Sequence, residues 1–215
     1  MIAFPGRKGP QEQTRMLARH GYGVLRFDRR GEGRSEGAPN SWGWGGKADV
    51  KAAIAFLRRR PDVDPRRIGG IGLSVGGEMM LETAAETHRL AAVVSEGAGA
   101  RSTTEDLDED MPGAEKLISV PLSVFKTASI AVFSNTAVPA NLKDLVGRIA
   151  PRPLLLIAAP NSGHGEDLNR AYVAAAGEPK ALWEIPESKH VGGIRARPAE
   201  YERRVVGFFD RALRP

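Results

Sequence analysis

Short apolar runs recur along the chain near Ile2 to Phe4, Gly23 to Phe27, Ile68 to Leu73, Ala91 to Ser95, Leu154 to Ala158 and Leu182 to Ile185. Each reads as a strand, and helical patterns lie between them. That alternation predicts an α/β fold: a mostly parallel sheet of about six strands, flanked by helices on both faces. "EQTRMLARHG" gives the first helix, which Gly21 can end in a left-handed cap. "GKADVKAAIAFLRRRP" gives a second, stopped at Pro61. The last opens at Pro198, a favoured first-turn position, and sets Tyr201, Val205, Phe209 and Leu213 at intervals of four.

From about Arg101 to Arg148 the rhythm breaks, because this stretch is far longer than an ordinary strand-to-helix connection. It reads as an insertion at 101–148 within a single domain spanning 1–215. "AEKLISVPLSVFKTASIAVF", Ala114 to Phe133, is apolar enough to form one or two helices lying on something, either a wall or lid over a pocket or an extra layer on the core.

A length of 215 residues is enough to bury one core. The chain has no cysteine, which removes disulfides, thiolate metal sites and a cysteine nucleophile. "MIAFPGRKGP" lacks the features of a secretory signal, and no later segment reaches the eighteen or so unbroken apolar residues of a membrane span, so a soluble, cytoplasmic protein is expected. The net charge of +5 comes from dispersed arginines interrupted by acidic runs such as "EDLDED". Without interleaved aromatics these clusters do not predict a nucleic-acid groove.

"IGLSVGG", Ile71 to Gly77, sets a serine between glycines where a strand passes into the helix pattern of "EMMLETAAETHRL". G-x-S-x-G in that context is a nucleophile elbow, with Ser74 Oγ exposed at the carboxyl end of the strand. Capping of the helix would explain the serine but not the flanking glycines. A serine hydroxyl needs a base, and the chain has four histidines. His20 and His88 fit helix ends. His190 follows the last strand on a loop with Gly192 and Gly193, where a parallel sheet delivers catalytic groups, and is the expected base.

The orienting acid has three candidates. Glu166 and Asp167 follow "PLLLIAAP", with His164 close by, and Glu96 directly follows "LAAVVS". The order nucleophile, acid, histidine admits all three. Two backbone donors should hold the oxyanion, the N–H of Val75 after the nucleophile and that of Arg7 in the loop "FPGRKGP".

Together these residues resemble the α/β-hydrolase superfamily, specifically its small bacterial esterase-like and dienelactone-hydrolase-like members, over nearly the whole chain. "FDRRGEGRS" is similar to a D-x-R-G-x-G-x-S turn of such enzymes, and "PRPLLLIAAP" and "LWEIPESKH" to the strands that carry their acid and histidine loops. Relatives usually begin with two further strands, and commonly have His-Gly where this chain has Pro5-Gly6. With the strand order that the resemblance implies, the acid and histidine loops come from adjacent strands, which favours Glu166.

The expected activity is cleavage of a small-molecule carboxylic ester by a serine hydrolase, through an acyl-enzyme on Ser74, with no cofactor and no metal. A peptidase or thioesterase of the same fold is the alternative enzyme, and a non-catalytic binding protein the alternative outside enzymes. Without the two further strands, Gly23 to Phe27 would stand at the sheet edge, predicting a homodimer through that edge or a marginally stable monomer.

Overall fold

The computed structural model of the chain describes residues 2–3, 11–38, 41–107 and 113–214. Its strands are β1 (Ile2–Ala3), β2 (Leu25–Arg26), β3 (Gly69–Leu73), β4 (Ala92–Glu96), β5 (Leu154–Ala158) and β6 (Lys180–Glu184). All pair in parallel, in the order β2-β1-β3-β4-β5-β6. The six expected strands are therefore present, and β2 stands at the edge of the described sheet. Their ends differ from the sequence reading: β2 keeps two residues of its run, and β6 begins at Lys180 rather than Leu182. β6 is only partly covered, so its polar start escapes a search for apolar runs. Phe4, at the end of the first run, lies outside the described residues.

Nine helices are described: α1 (Gln11–Arg19), α2 (Lys47–Arg58), α3 (Val75–Glu86), α4 (Thr103–Asp106), α5 (Gly113–Ser134), α6 (Leu142–Leu145), α7 (Asn169–Ala175), α8 (Gly193–Ala196) and α9 (Pro198–Leu213). Successive side chains of a strand leave opposite faces, so the sheet builds two cores. On one, Val93, Leu154 and Leu156 pack with Val50 and Ile54 of α2 and with Met80 and Ala84 of α3. On the other, Val94, Leu155 and Ile157 meet Met16 and Leu17 of α1 and Tyr201, Val205 and Phe209 of α9. Each fully buried large apolar side chain contributes about 1.5–3 kcal/mol. The interval of four in α9 is thus the stripe that seats it on the sheet.

Between β4 and β5 lie α4, α5, α6 and a 3-10 turn at Val146–Ile149. The buried Arg101 ties this stretch down: its Nη1 donates to Glu82 Oε2 of α3 at 2.9 Å, and its N–H donates to Glu105 Oε2 at 2.7 Å. α5 is one helix of 22 residues, continuous through Pro121. Ser123 and Ile130 face inward and are buried, whereas Leu117, Ile118, Leu122, Phe125, Val132 and Phe133 face outward. Phe133 is 89% exposed and Leu117 80%, so this helix hides its smaller and more polar face and shows its apolar one. By length and composition alone, Lys116–Ser134 could cross a membrane.

Candidate active site

β3 passes into α3 through Ser74, whose φ of 52° and ψ of −128° are rarely adopted by a residue with a Cβ. Two backbone bonds hold the turn: Ser74 N–H donates to the Glu96 carbonyl at 2.7 Å, and Gly77 N–H donates to the Ser74 carbonyl at 2.7 Å. A Cβ on Gly72 would run into the Gly76 carbonyl, so the first glycine of the motif is what lets strand and helix close on each other. α3 starts at Val75, before the expected Glu78, because the strained serine delivers the chain directly into the helix.

His190 bridges the other two groups. Its Nε2 lies 2.8 Å from Ser74 Oγ, and its Nδ1 lies 2.7 Å from Glu166 Oε1. Glu166 is 1% exposed and clamped by further donors, Ser162 Oγ to Oε1 at 2.9 Å and Ala159 N–H to Oε2 at 2.7 Å. A carboxylate so held accepts a hydrogen bond from Nδ1–H, and in that tautomer the Nε2 lone pair faces the serine hydroxyl. The adjacency of β5 and β6 brings the two loops together.

Glu96 is placed elsewhere. Its Oε1 accepts from Gly193 N–H at 2.8 Å and its Oε2 from the Tyr201 hydroxyl at 2.6 Å. Burial holds its carboxyl above the ordinary value of 4.5, against the effect of those two donors. Asp167 is partly exposed, and the histidine meets its neighbour instead. His20 follows α1 and its Nε2 lies 2.6 Å from Glu202 Oε1. His88 lies past the end of α3 and is exposed, not on the helix where it was expected.

Of the two expected oxyanion donors, Val75 opens α3, where an N–H has no carbonyl one turn earlier to meet, and it lines the pocket beside Ser74. Arg7 lies outside the described residues.

The pocket measures about 290 Å³. Lys126 and Ile130 of α5 form part of its lining, so the insertion serves as a wall. Several contributors were not foreseen from the sequence. Gly97, at φ 71°, follows β4, and a Cβ there would lie 2.7 Å from Val191 Cγ1 and 3.2 Å from His190 Cε1. Its position straight after a strand end was the available signal. The His164 ring stacks on His190, with centroids 4.4 Å apart and planes 10° apart. Glu78 lines the pocket one helical turn beyond Ser74, on the same face of α3. The "FDRRGEGRS" segment closes on itself instead, with Ser35 Oγ donating to the Asp28 carbonyl at 2.7 Å and Arg34 N–H to Asp28 Oδ2 at 3.1 Å.

Comparison with known proteins gives relatives of the sequence and of the fold. The family of X-Pro dipeptidyl-peptidases (S15 family) matches residues 5–111. The uncharacterized protein YfhR of Escherichia coli K12 is 28% identical over 207 residues, covering 93% of this chain and 64% of YfhR. The chain thus spans less than two thirds of that relative's length. The quorum-quenching protein AidA of Acinetobacter baumannii is 34% identical over 152 residues, 69% of this chain and 43% of AidA. Among solved structures, the esterase Pf2001 of Pyrococcus furiosus superposes with a TM-score of 0.75 at 22% identity, covering 99% of this chain and 82% of that one.

Proposed function

We propose that the chain, which shares the fold of solved α/β hydrolases and esterases, is a serine hydrolase which cleaves carboxylic esters through an acyl-enzyme on Ser74. The observation that carries this reading is the unbroken hydrogen-bonded line from Ser74 Oγ through His190 to Glu166. His190 Nε2 takes the hydroxyl proton as Oγ attacks the ester carbonyl carbon, and Glu166 orients the imidazole and stabilises its cationic form. The Val75 N–H donates to the oxygen that becomes negative. As the tetrahedral adduct collapses, the C–O bond to the alcohol breaks and Nε2 returns the proton to the leaving oxygen. Water then repeats the sequence on the acyl-Ser74 ester, releasing the acid and restoring the hydroxyl.

The match to the S15 family favours a second reading, cleavage of an aminoacyl or peptide bond by the same residues. Short- and long-chain p-nitrophenyl esters tested beside aminoacyl anilides separate the two. Intact mass after exposure to a fluorophosphonate tests both: one adduct is expected on the native protein and none on Ser74→Ala. A folded native protein that stays unlabelled would overturn serine-hydrolase chemistry and leave a binding protein of this fold.

A further inference from the structure

Glu78 is a carboxyl in an unusual place. It is 7% exposed, lines the same pocket as Ser74 and His190, and stands about 6 Å along α3 from the serine. Among the described residues its side chain makes one hydrogen bond, with Oε1 accepting from Gly99 N–H at 3.3 Å. The other charged groups lining the pocket are already matched. Arg101 is engaged by Glu82 at 2.9 Å and Glu105 at 3.7 Å, and Lys126 by Asp106 at 3.2 Å. Glu78 has no ion pair of its own among the described residues, and a buried carboxylate without a cation is costly. Burial accordingly raises its carboxyl from 4.5 to about 7, with the charge of Arg101 opposing the change.

We propose that Glu78 is a substrate-binding residue that receives a protonated amine carried by the ester or amide on either side of the bond to be cut. An ammonium brings the missing positive charge and up to three donors, one of which the free oxygen of Glu78 can accept. The net charge of +5 disfavours cations at the surface in general, so affinity for an amine must arise locally. A neutral hydroxyl of the same size would satisfy a hydrogen bond but not the charge. This inference rests on Ser74 being the reacting serine only for its consequence, which is selection of amine-bearing substrates.

The test is binding of n-butylammonium chloride and of n-butanol, followed by ligand-observed NMR on the unmodified full chain at constant ionic strength and slightly alkaline pH. Glu78→Gln and Glu78→Asp are run in parallel. Glutamine keeps an acceptor for Gly99 N–H, so its fold is checked by circular dichroism and its loss of binding is read only on folded protein. The ammonium should bind about tenfold more tightly than the alcohol, and that preference should vanish in Glu78→Gln and survive in part in Glu78→Asp. Equal affinity for the two probes, or an ammonium preference that persists in Glu78→Gln, would overturn the proposal. Because binding needs no turnover, an ammonium that binds to a protein inert toward fluorophosphonate would uphold Glu78 while refuting the nucleophile.

Discussion

The Tyr201 hydroxyl donates to Glu96 Oε2 at 2.6 Å, joining the carboxyl end of β4 to the first turn of α9. Since the other oxygen of Glu96 holds Gly193 N–H, this carboxylate fastens the loop that carries His190 without touching the imidazole ring. Tyr201→Phe leaves one buried carboxylate oxygen without its donor. It should lower unfolding free energy by about 1–3 kcal/mol in urea titration. The Ser74 to His190 contact should survive, so fluorophosphonate labelling should still occur.

Glu166→Gln replaces the hydrogen-bond acceptor of His190 Nδ1–H by an amide that can present its NH₂ to Nδ1, which favours the wrong tautomer. Turnover of a p-nitrophenyl ester should fall about ten-thousandfold with the circular dichroism spectrum unchanged. Asp167→Asn and Glu96→Gln should have far smaller effects. An active Glu166→Gln variant beside a crippled Glu96→Gln would reverse the roles given to the two carboxyls.

Gly97→Ala tests the close approach at the back of the histidine. The added methyl lies 2.7 Å from Val191 Cγ1 and 3.2 Å from His190 Cε1, on a residue whose φ of 71° already disfavours a side chain. Displacing the imidazole by about 1 Å would cost about a hundredfold in kcat/KM, measurable with the same ester. Activity equal to the parent's would mean the loop yields without moving the ring.

Glu78 also links stability to pH. Its folded value of about 7 lies above the ordinary 4.5, so the folded chain retains a proton that the unfolded chain gives up between them. Stability from this group is present at low pH and declines as pH rises through that window, by about 3 kcal/mol in all. Arg101, Glu105 and His190 act on it, and Asp106 and Lys126 line the same pocket. Glu78→Gln should therefore exceed the parent in urea stability near pH 8 and match it near pH 4, by about the same 3 kcal/mol at most. A constant difference at both pH values would contradict the raised value.

How far the sequence could lead depended on whether a feature is periodic or spatial. The strands, the stripe of α9 and the glycine-flanked Ser74 are local patterns, and local patterns survive in one dimension. His190 was legible because it follows a strand on a glycine-rich loop. The choice of Glu166 over Glu96 needed the order of strands, which came from resemblance and not from spacing. Gly97, Glu78 and the stacking of His164 on His190 escaped because each acts through a neighbour distant in sequence or across the pocket. The ends of β2 and β6 escaped for another reason: strands at the margins of a sheet need little apolar character.

α5 separates two properties that most helices bind together. Leu117, Ile118, Phe125 and Phe133 are largely exposed, so among the described residues nothing packs closely on them, while Lys126 and Ile130 on the inner side shape the pocket. The outer positions can be exchanged for polar residues with stability held within about 0.5 kcal/mol each. The outer surface and the shape of the pocket could then be engineered, or could drift in evolution, along opposite sides of the same 22 residues without one constraining the other.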